Sequence, residues 1–287
     1  MAQERRSSNE APRRSGLIWQ QPCPRNQKRY TASYRTATAG VTVVLGEEGA
    51  QNIGGAGFDT LIDIETITGS NFNDALTLEF EGSNSFGVTT FNGGAGNDTL
   101  SASSGTLNGD EGNDSLSASE TFATLNGGAG NDILGINGGS SLLNGGDGKD
   151  KLIASHSPSA GSHGSPTLIG GAGTDHLFHF DEDDPGGQVT LDYNAVSDSP
   201  AGTGRDKING FDGDIGNTID LTTIDANALV AGNQAFIFGG SFTAGHLKYA
   251  GGILSGNTDG DAAAEFEIQL LGAPALTGGG AGTDILL

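Results

Sequence analysis

The feature that most limits what this chain can fold into is a nonapeptide, G-G-x-G-x-D-x-U-x with U a large apolar residue, that recurs along its middle. Full copies read GGAGFDTLI at Gly54–Ile62, GGAGNDTLS at Gly93–Ser101, GGAGNDILG at Gly127–Gly135, GGDGKDKLI at Gly145–Ile153 and GGAGTDHLF at Gly170–Phe178. Gly109–Ser117 reads GDEGNDSLS, with Asp110 replacing the second glycine, and Gly69–Thr77 reads GSNFNDALT, a weaker copy lacking two glycines. A unit of one turn and one short strand has no core of its own, so it must stack on its neighbours.

The copies at 93, 109, 127 and 145 start 16, 18 and 18 residues apart, and the copy at 170 follows after 25. Two nonapeptides make one circuit of a two-sided solenoid, so the glycine–aspartate turns should stack along one edge. The half-turns of the other edge, Ser117–Thr124 and Gly135–Leu142, lack the motif. The longer step before Gly170 predicts a surface loop around His156–Ser165. The apolar residue two places after each aspartate (Leu100, Leu116, Leu134, Leu152, Leu177) then faces the interior. Composition demands such a thin, repeated core, because 50 of 287 residues are glycine and only 34% are hydrophobic.

The turn chemistry points to calcium. Glycine at the first, second and fourth positions takes positive φ without a Cβ clash and can turn carbonyls inward. The sixth-position aspartate adds a hard anionic oxygen. Calcium takes more oxygen ligands than one turn supplies, so each ion should lie between turns one circuit apart. The candidate ligands are Gly93, Gly94, Gly96 and Asp98; Gly109, Asp110, Gly112 and Asp114; Gly127, Gly128, Gly130 and Asp132; Gly145, Gly146, Gly148 and Asp150; Gly170, Gly171, Gly173 and Asp175. Ions are expected at Asp98/Asp114, Asp114/Asp132 and Asp132/Asp150, and more loosely at Asp150/Asp175 across the loop. Near the start, Gly54, Gly55, Gly57 and Asp59 should make a separate, weaker site with Asp74. That makes about three to five ions. On this spacing Asp98 has a full-circuit neighbour on one side only.

Charge supports a cation partner. Residues 1–39 hold eight basic and two acidic residues, whereas residues 40–287 hold five basic and 33 acidic ones, net −28. Such a body repels itself unless cations neutralise it, and it disfavours nucleic acid and anionic membranes as partners. Residues 1–39 lack periodicity and read as a disordered basic leader, with Val41–Leu45 as the first strand. The single cysteine, Cys23, allows no disulfide framework. No apolar run approaches the ~20 residues of a membrane helix. The short run Leu17-Ile18-Trp19 is no N-terminal export signal.

After Phe180 the motif stops, and residues 181–287 read as a second, non-repetitive unit with strand-like runs at Gln188–Tyr193, Ala235–Phe238 and Phe266–Leu271. Residues 54–178 resemble the RTX family of secreted bacterial proteins, whose repeats form a calcium-binding β-roll. Ser197–Gly202, Arg205–Phe211, Asn217–Asp225, Ala231–Phe236 and Phe266–Leu270 resemble the C-terminal domain of serralysin metalloproteases. The ending Asp284-Ile285-Leu286-Leu287 is similar to the acid-plus-three-apolar terminus of type I secretion substrates. The resemblance implies a secreted, extracellular protein that leaves through a type I secretion exporter and folds on calcium. The expected fold is all-β: a parallel β-roll (a two-sided calcium-binding solenoid) over 40–180, then a serralysin C-terminal-like β unit over 181–287.

No catalytic machinery is expected. Serralysins use an H-E-x-x-H zinc helix, and none of His156, His163, His176, His179 and His246 is followed by glutamate. His176 and His179, three apart on a strand, should face opposite sides and play structural roles. Asn257–Asp261 with Glu265 resembles the start of an EF-hand loop but reads as a solvated acidic turn. Asp284, in GGAGTDILL, reads as part of the export signal rather than as a repeat turn. Two other classes stay open: the companion module of a secreted enzyme such as a serralysin-type metalloprotease, and an adhesive or structural surface protein.

Overall fold

Parallel strand pairing through successive circuits builds a β-roll, as seen in a computed structural model that describes residues 29–46, 49–78, 89–119, 122–156, 164–181, 187–278 and 283–287. The chain alternates between two sheets. The 10-stranded sheet runs in the order Thr31–Ser33, Thr66–Thr68, Thr90–Ala95, Thr106–Glu111, Thr124–Ala129, Leu142–Gly148, Thr167–Gly173, Thr190–Asp192, Thr218–Asp220, Ile285–Leu286. The 12-stranded sheet begins Thr42–Leu45, Ala75–Leu78, Thr99–Ala102, Ser115–Ala118, Ile133–Asn137, Lys151–His156, His176–Asp181, Asp206–Asn209. It ends with Phe266–Leu270, Ile253–Asn257, His246–Ala250 and Ile237–Phe238, where Ile253–Asn257 is antiparallel to both neighbours.

Register follows the repeat. Leu76, Leu100, Leu116, Leu134, Leu152, Leu177 and Ile208 stand opposite one another on consecutive strands. All are at most 1% exposed. The other sheet contributes Ile67, Phe91, Leu107, Leu125, Leu143, Leu168, Leu191 and Ile219. Each such side chain contributes about 1.5–3 kcal/mol on burial, so every circuit adds the same increment. Outward positions carry small polar residues, with Asn108 donating to Asn92 and Asn126 to Asn108, each at 2.7 Å.

The sheets reach further than the motif. Thr31–Ser33, inside the stretch expected to be disordered to residue 39, pairs with Thr66–Thr68, and Tyr34 is buried. The remainder of that leader, through residue 28 and including Cys23, lies outside the described residues. At the other end the ladders cross residue 180 without a break, because Thr190 pairs with Thr167 and Lys207 with His176. Of the loop expected around His156–Ser165, residues 157–163 lie outside the described residues, and the strands on either side keep full register.

One full copy of the motif does not join the stack. Gly54–Ile62 instead contributes to an antiparallel hairpin, Ala50–Asn52 with Phe58–Thr60. The reason is phase. Stacked aspartate turns carry the chain from the 10-stranded into the 12-stranded sheet, whereas residues 46–65 carry it back. The hairpin covers the free edge of Thr42–Leu45: the Gln51 amide donates to the Val44 carbonyl and accepts from the Val44 N–H, both at 2.8 Å, and Ile53 is buried beneath it. It closes the open end of the solenoid.

Candidate metal centre

Each stacked turn brings its aspartate to the mouth of a strand, where the carboxylate reaches back one circuit. The backbone N–H of Asp98 donates to Asp114 Oδ1, that of Asp114 to Asp132, that of Asp132 to Asp150 and that of Asp150 to Asp175, at 2.7–2.8 Å. One oxygen of each carboxylate is thereby fixed. The other, Oδ2 of Asp98, Asp114, Asp132, Asp150 and Asp175, is buried without any hydrogen-bond partner, and so is Oδ2 of Asp206, the next aspartate along. A single orphaned acceptor of this kind costs about 1–3 kcal/mol, more when charged, and here six stand in a row.

The glycines are required by the same geometry. A Cβ on Gly93, Gly109, Gly127, Gly145 or Gly170 would overlap the Oδ2 atom of its own turn's aspartate. The second and fourth positions have positive φ in all five turns, from +93° at Gly171 to +157° at Gly173, and Asp110 adopts +75° in place of glycine. A Cβ on Gly112, Gly130, Gly148 or Gly173 would overlap the fourth-position carbonyl oxygen of the preceding turn. Beside Gly93, Gly109, Gly127 and Gly145 the unpartnered Oδ2 and the first-position carbonyl oxygen of the following turn crowd the same space, all-oxygen donors suited to a hard cation.

The hydrogen-bonded row is longer than the motif suggests. Asp74, in the weak copy, joins it: the Asp74 N–H donates to Asp98 Oδ1 at 2.7 Å. Asp98 therefore has neighbours on both sides. Asp59 stands in the hairpin beside Tyr34, whose phenol is pushed up by burial and by that carboxylate. Of the expected Asp59/Asp74 pair, with Gly54, Gly55 and Gly57, Asp74 is tied into the row while Asp59 and its glycines lie in the hairpin. At the other end the Asp175 N–H donates to Asp206 Oδ1 at 2.7 Å. Sequence reasoning missed Asp206, although Ala201–Asn209 reads AGTGRDKIN, the nonapeptide with alanine for its first glycine.

At both end turns protein groups occupy oxygens that the inner turns leave free. Asp74 accepts from the Ser70 N–H at 2.5 Å, the Ser70 hydroxyl at 2.8 Å and the Val41 N–H at 2.7 Å. Gly202–Gly204 forms a 3₁₀ turn in which Arg205 Nε donates to the Gly202 carbonyl at 2.6 Å and Thr174 to that of Gly204 at 3.2 Å. Arg205 also pairs with Glu267 at 3.3 Å. The row ends where the Asp206 N–H meets the Ser199 hydroxyl at 2.9 Å. Five turns and four gaps with free carbonyls on both sides lie between these ends, although Asp206 keeps a buried, unpartnered Oδ2. The Asp150–Asp175 hydrogen bond keeps the 2.8 Å of its neighbours despite the longer loop, and there the Thr174 N–H also donates to the Gly148 carbonyl at 3.3 Å.

Burial, acting before all else, pushes these carboxyls up: Asp98 and Asp175 to about 7, Asp114 and Asp150 to about 6, and Asp132 in the same direction. The hydrogen bond from the preceding rung opposes this in every case, and neighbouring carboxylates reinforce it at all but Asp132. Asp206 is raised to about 8, again chiefly by burial. A divalent ion would reverse the balance by stabilising the charged form.

Elsewhere, Asp259, Asp261 and Glu265 bring ligand atoms within 4.8 Å of one another and could hold a cation. The two strand histidines face opposite sides: His176 meets Asn209 at 2.9 Å on the outside, while His179 is buried beside Asn217 at 3.2 Å. Asp284 stays out of the aspartate row, its carboxylate accepting from the Thr277 N–H at 2.6 Å. No protein-family model matches the chain, and no curated protein matches it. Among the described residues no helix is long and apolar enough to cross a membrane.

These contacts rank the aspartates. Asp132 borders two of these gaps and Asp175 one, so Asp132→Asn should lower the number of ions bound at saturation by more than Asp175→Asn, and Asp59→Asn should leave it unchanged. Calorimetric titration of the three variants beside the parent decides this, and a loss at Asp59 matching that at Asp132 would contradict the assignment.

Proposed function

We propose that the chain is an extracellular calcium-binding protein of the RTX type, which folds into its β-roll when calcium fills the gaps between aspartate turns. The observation that carries this reading is the row of buried, unpartnered carboxylate oxygens at Asp98, Asp114, Asp132, Asp150 and Asp175. Without cations, these groups and the net charge of residues 40–287 oppose collapse. With them, each ion joins turns 16 to 25 residues apart, and binding energy becomes folding energy. Extracellular modules of this kind work at ~10⁻⁴–10⁻³ M calcium, so the chain would stay open inside a cell and close outside. The C-terminal resemblance supports export through a type I exporter before folding. The protein is read as a binding module with no reaction of its own.

Circular dichroism tests this directly. The spectrum should be that of a largely unstructured chain in chelator and should gain β-structure between ~0.1 and 10 mM calcium. Identical spectra in chelator and in calcium would refute the proposal.

A further inference from the structure

The lysines are segregated. Among the described residues there are four, Lys149, Lys151, Lys207 and Lys248, and three of them point outward from strands of the 12-stranded sheet. Lys149 stands in the turn that leads into Lys151. The outward residues of the 10-stranded sheet include no lysine among those described, but do include Asp192 and Asp220. On the lysine face, Ile133, Lys151, His176 and Lys207 stand side by side on four consecutive strands. Lys248 lies three strands beyond Lys207. At about 4.8 Å per strand, the cations span a line of about 24 Å, with Lys151 and Lys207 about 10 Å apart. Glu267, a carboxylate on this face, is occupied by Arg205.

Beside the line of cations, two to four residues further along the strands, lies an apolar strip. Phe178 and Phe180 stack with centroids 5.8 Å apart, Lys151 Nζ sits 5.0 Å over the Phe178 ring, and Ile153 flanks Phe178 on the next strand. Ile133 and Phe180 are each 48% exposed. Gly135, next to Ile153, has open space where a side chain would stand. Nothing in the packing of the roll calls for large apolar side chains here, since the same face carries Thr99, Ser101, Ser115 and Ser117 a few strands earlier.

We propose that this face binds a linear acidic polysaccharide lying across the strands, along the roll axis. Its sparse carboxylates would meet Lys151, Lys207 and Lys248, and the apolar faces of its sugar rings would cover Ile133, Ile153 and Phe180. Charge density selects this partner over nucleic acid, which carries one charge per ~1.7 Å and would be repelled by a body of net −22. A lipid surface is disfavoured because the rings pack on one another and on Lys151 instead of standing proud. The face exists once the roll has folded, so the proposal rests on calcium folding the roll; a circular dichroism spectrum of the folded roll in the same buffer separates a failure of that reading from a failure of this one.

The test uses the full chain in millimolar calcium with hyaluronan oligosaccharides, whose carboxylate falls on every second sugar. Calorimetry should show salt-sensitive binding, and uncharged dextran should not bind. Lys151→Glu with Lys207→Glu should weaken binding about tenfold, from two lost pairs and new repulsion, with the calcium midpoint unchanged. Lys248→Glu alone should weaken it less. Parent-like binding by the double variant, equal binding of dextran, no binding of hyaluronan, or binding only to anionic vesicles or DNA would each overturn the proposal.

Discussion

Replacing Gly130 by alanine should abolish calcium-induced folding in the millimolar range, whereas Gly135→Ala, five residues away, should leave it intact. Gly130 has φ +139°, and a Cβ there would overlap the carbonyl oxygen of Gly112. That region of backbone space is nearly closed to other residues and costs about 1–3 kcal/mol. Overpacking adds about as much again. The clash is with backbone, so no rotamer change relieves it, and the two circuits must part where an ion would bridge them. Together these come to about 2–6 kcal/mol, so at 1.4 kcal/mol per tenfold the calcium midpoint of the gap should rise by more than one decade. Gly135 lies on the outer face with nothing near its missing side chain. A calcium titration by circular dichroism compares the pair; equal midpoints would show that the turns do not stack as described.

Acid should weaken calcium binding and yet favour the metal-free fold. In an unfolded chain an aspartate titrates near 3.9, whereas in the metal-free roll burial raises Asp98 and Asp175 to about 7 and Asp114 and Asp150 to about 6. Between those values the folded chain holds more protons than the unfolded one. Its stability without metal therefore falls as pH rises from about 4 to 7 and is greatest below that window. Calcium competes for the same oxygens, so filling a site must displace those protons. Lowering pH from 7.5 to 5.5 should raise the calcium midpoint about tenfold or more, while β-structure in chelator should increase toward pH 4. Spectra recorded across pH in both buffers check the two trends. A midpoint that falls with acidification would mean that ions bind elsewhere than at the buried row.

The repeat spacing was enough to place Leu100, Leu116, Leu134, Leu152 and Leu177 in one buried row and to assign the four inner aspartate gaps. It failed where phase matters. GGAGFDTLI at Gly54–Ile62 satisfies every local requirement of a turn, but the half-circuit it occupies is set by strand pairing many residues away. GSNFNDALT satisfies few of them and still stacks, because Ser70 supplies hydrogen bonds that close its turn. Asp206 escaped notice for a related reason: its turn is closed by Arg205 and Thr174 and has lost the first glycine. The lysine face was invisible in a sequence whose overall charge argued against anionic partners. Lys151, Lys207 and Lys248 are far apart in the chain, and only the register of their strands shows that they share a surface.

The parallel winding also makes the protein a spool. Each circuit of about 18 residues adds only about 4.8 Å to the length of the roll but holds close to 60 Å of extended chain. A pull applied at the two ends would load the bonds between neighbouring circuits one after another. The chain would lengthen in steps of one circuit, each step opening a single gap between aspartate turns. Along its axis the molecule is thus a series of nearly identical fasteners, and the force that opens them would depend on how many gaps hold an ion.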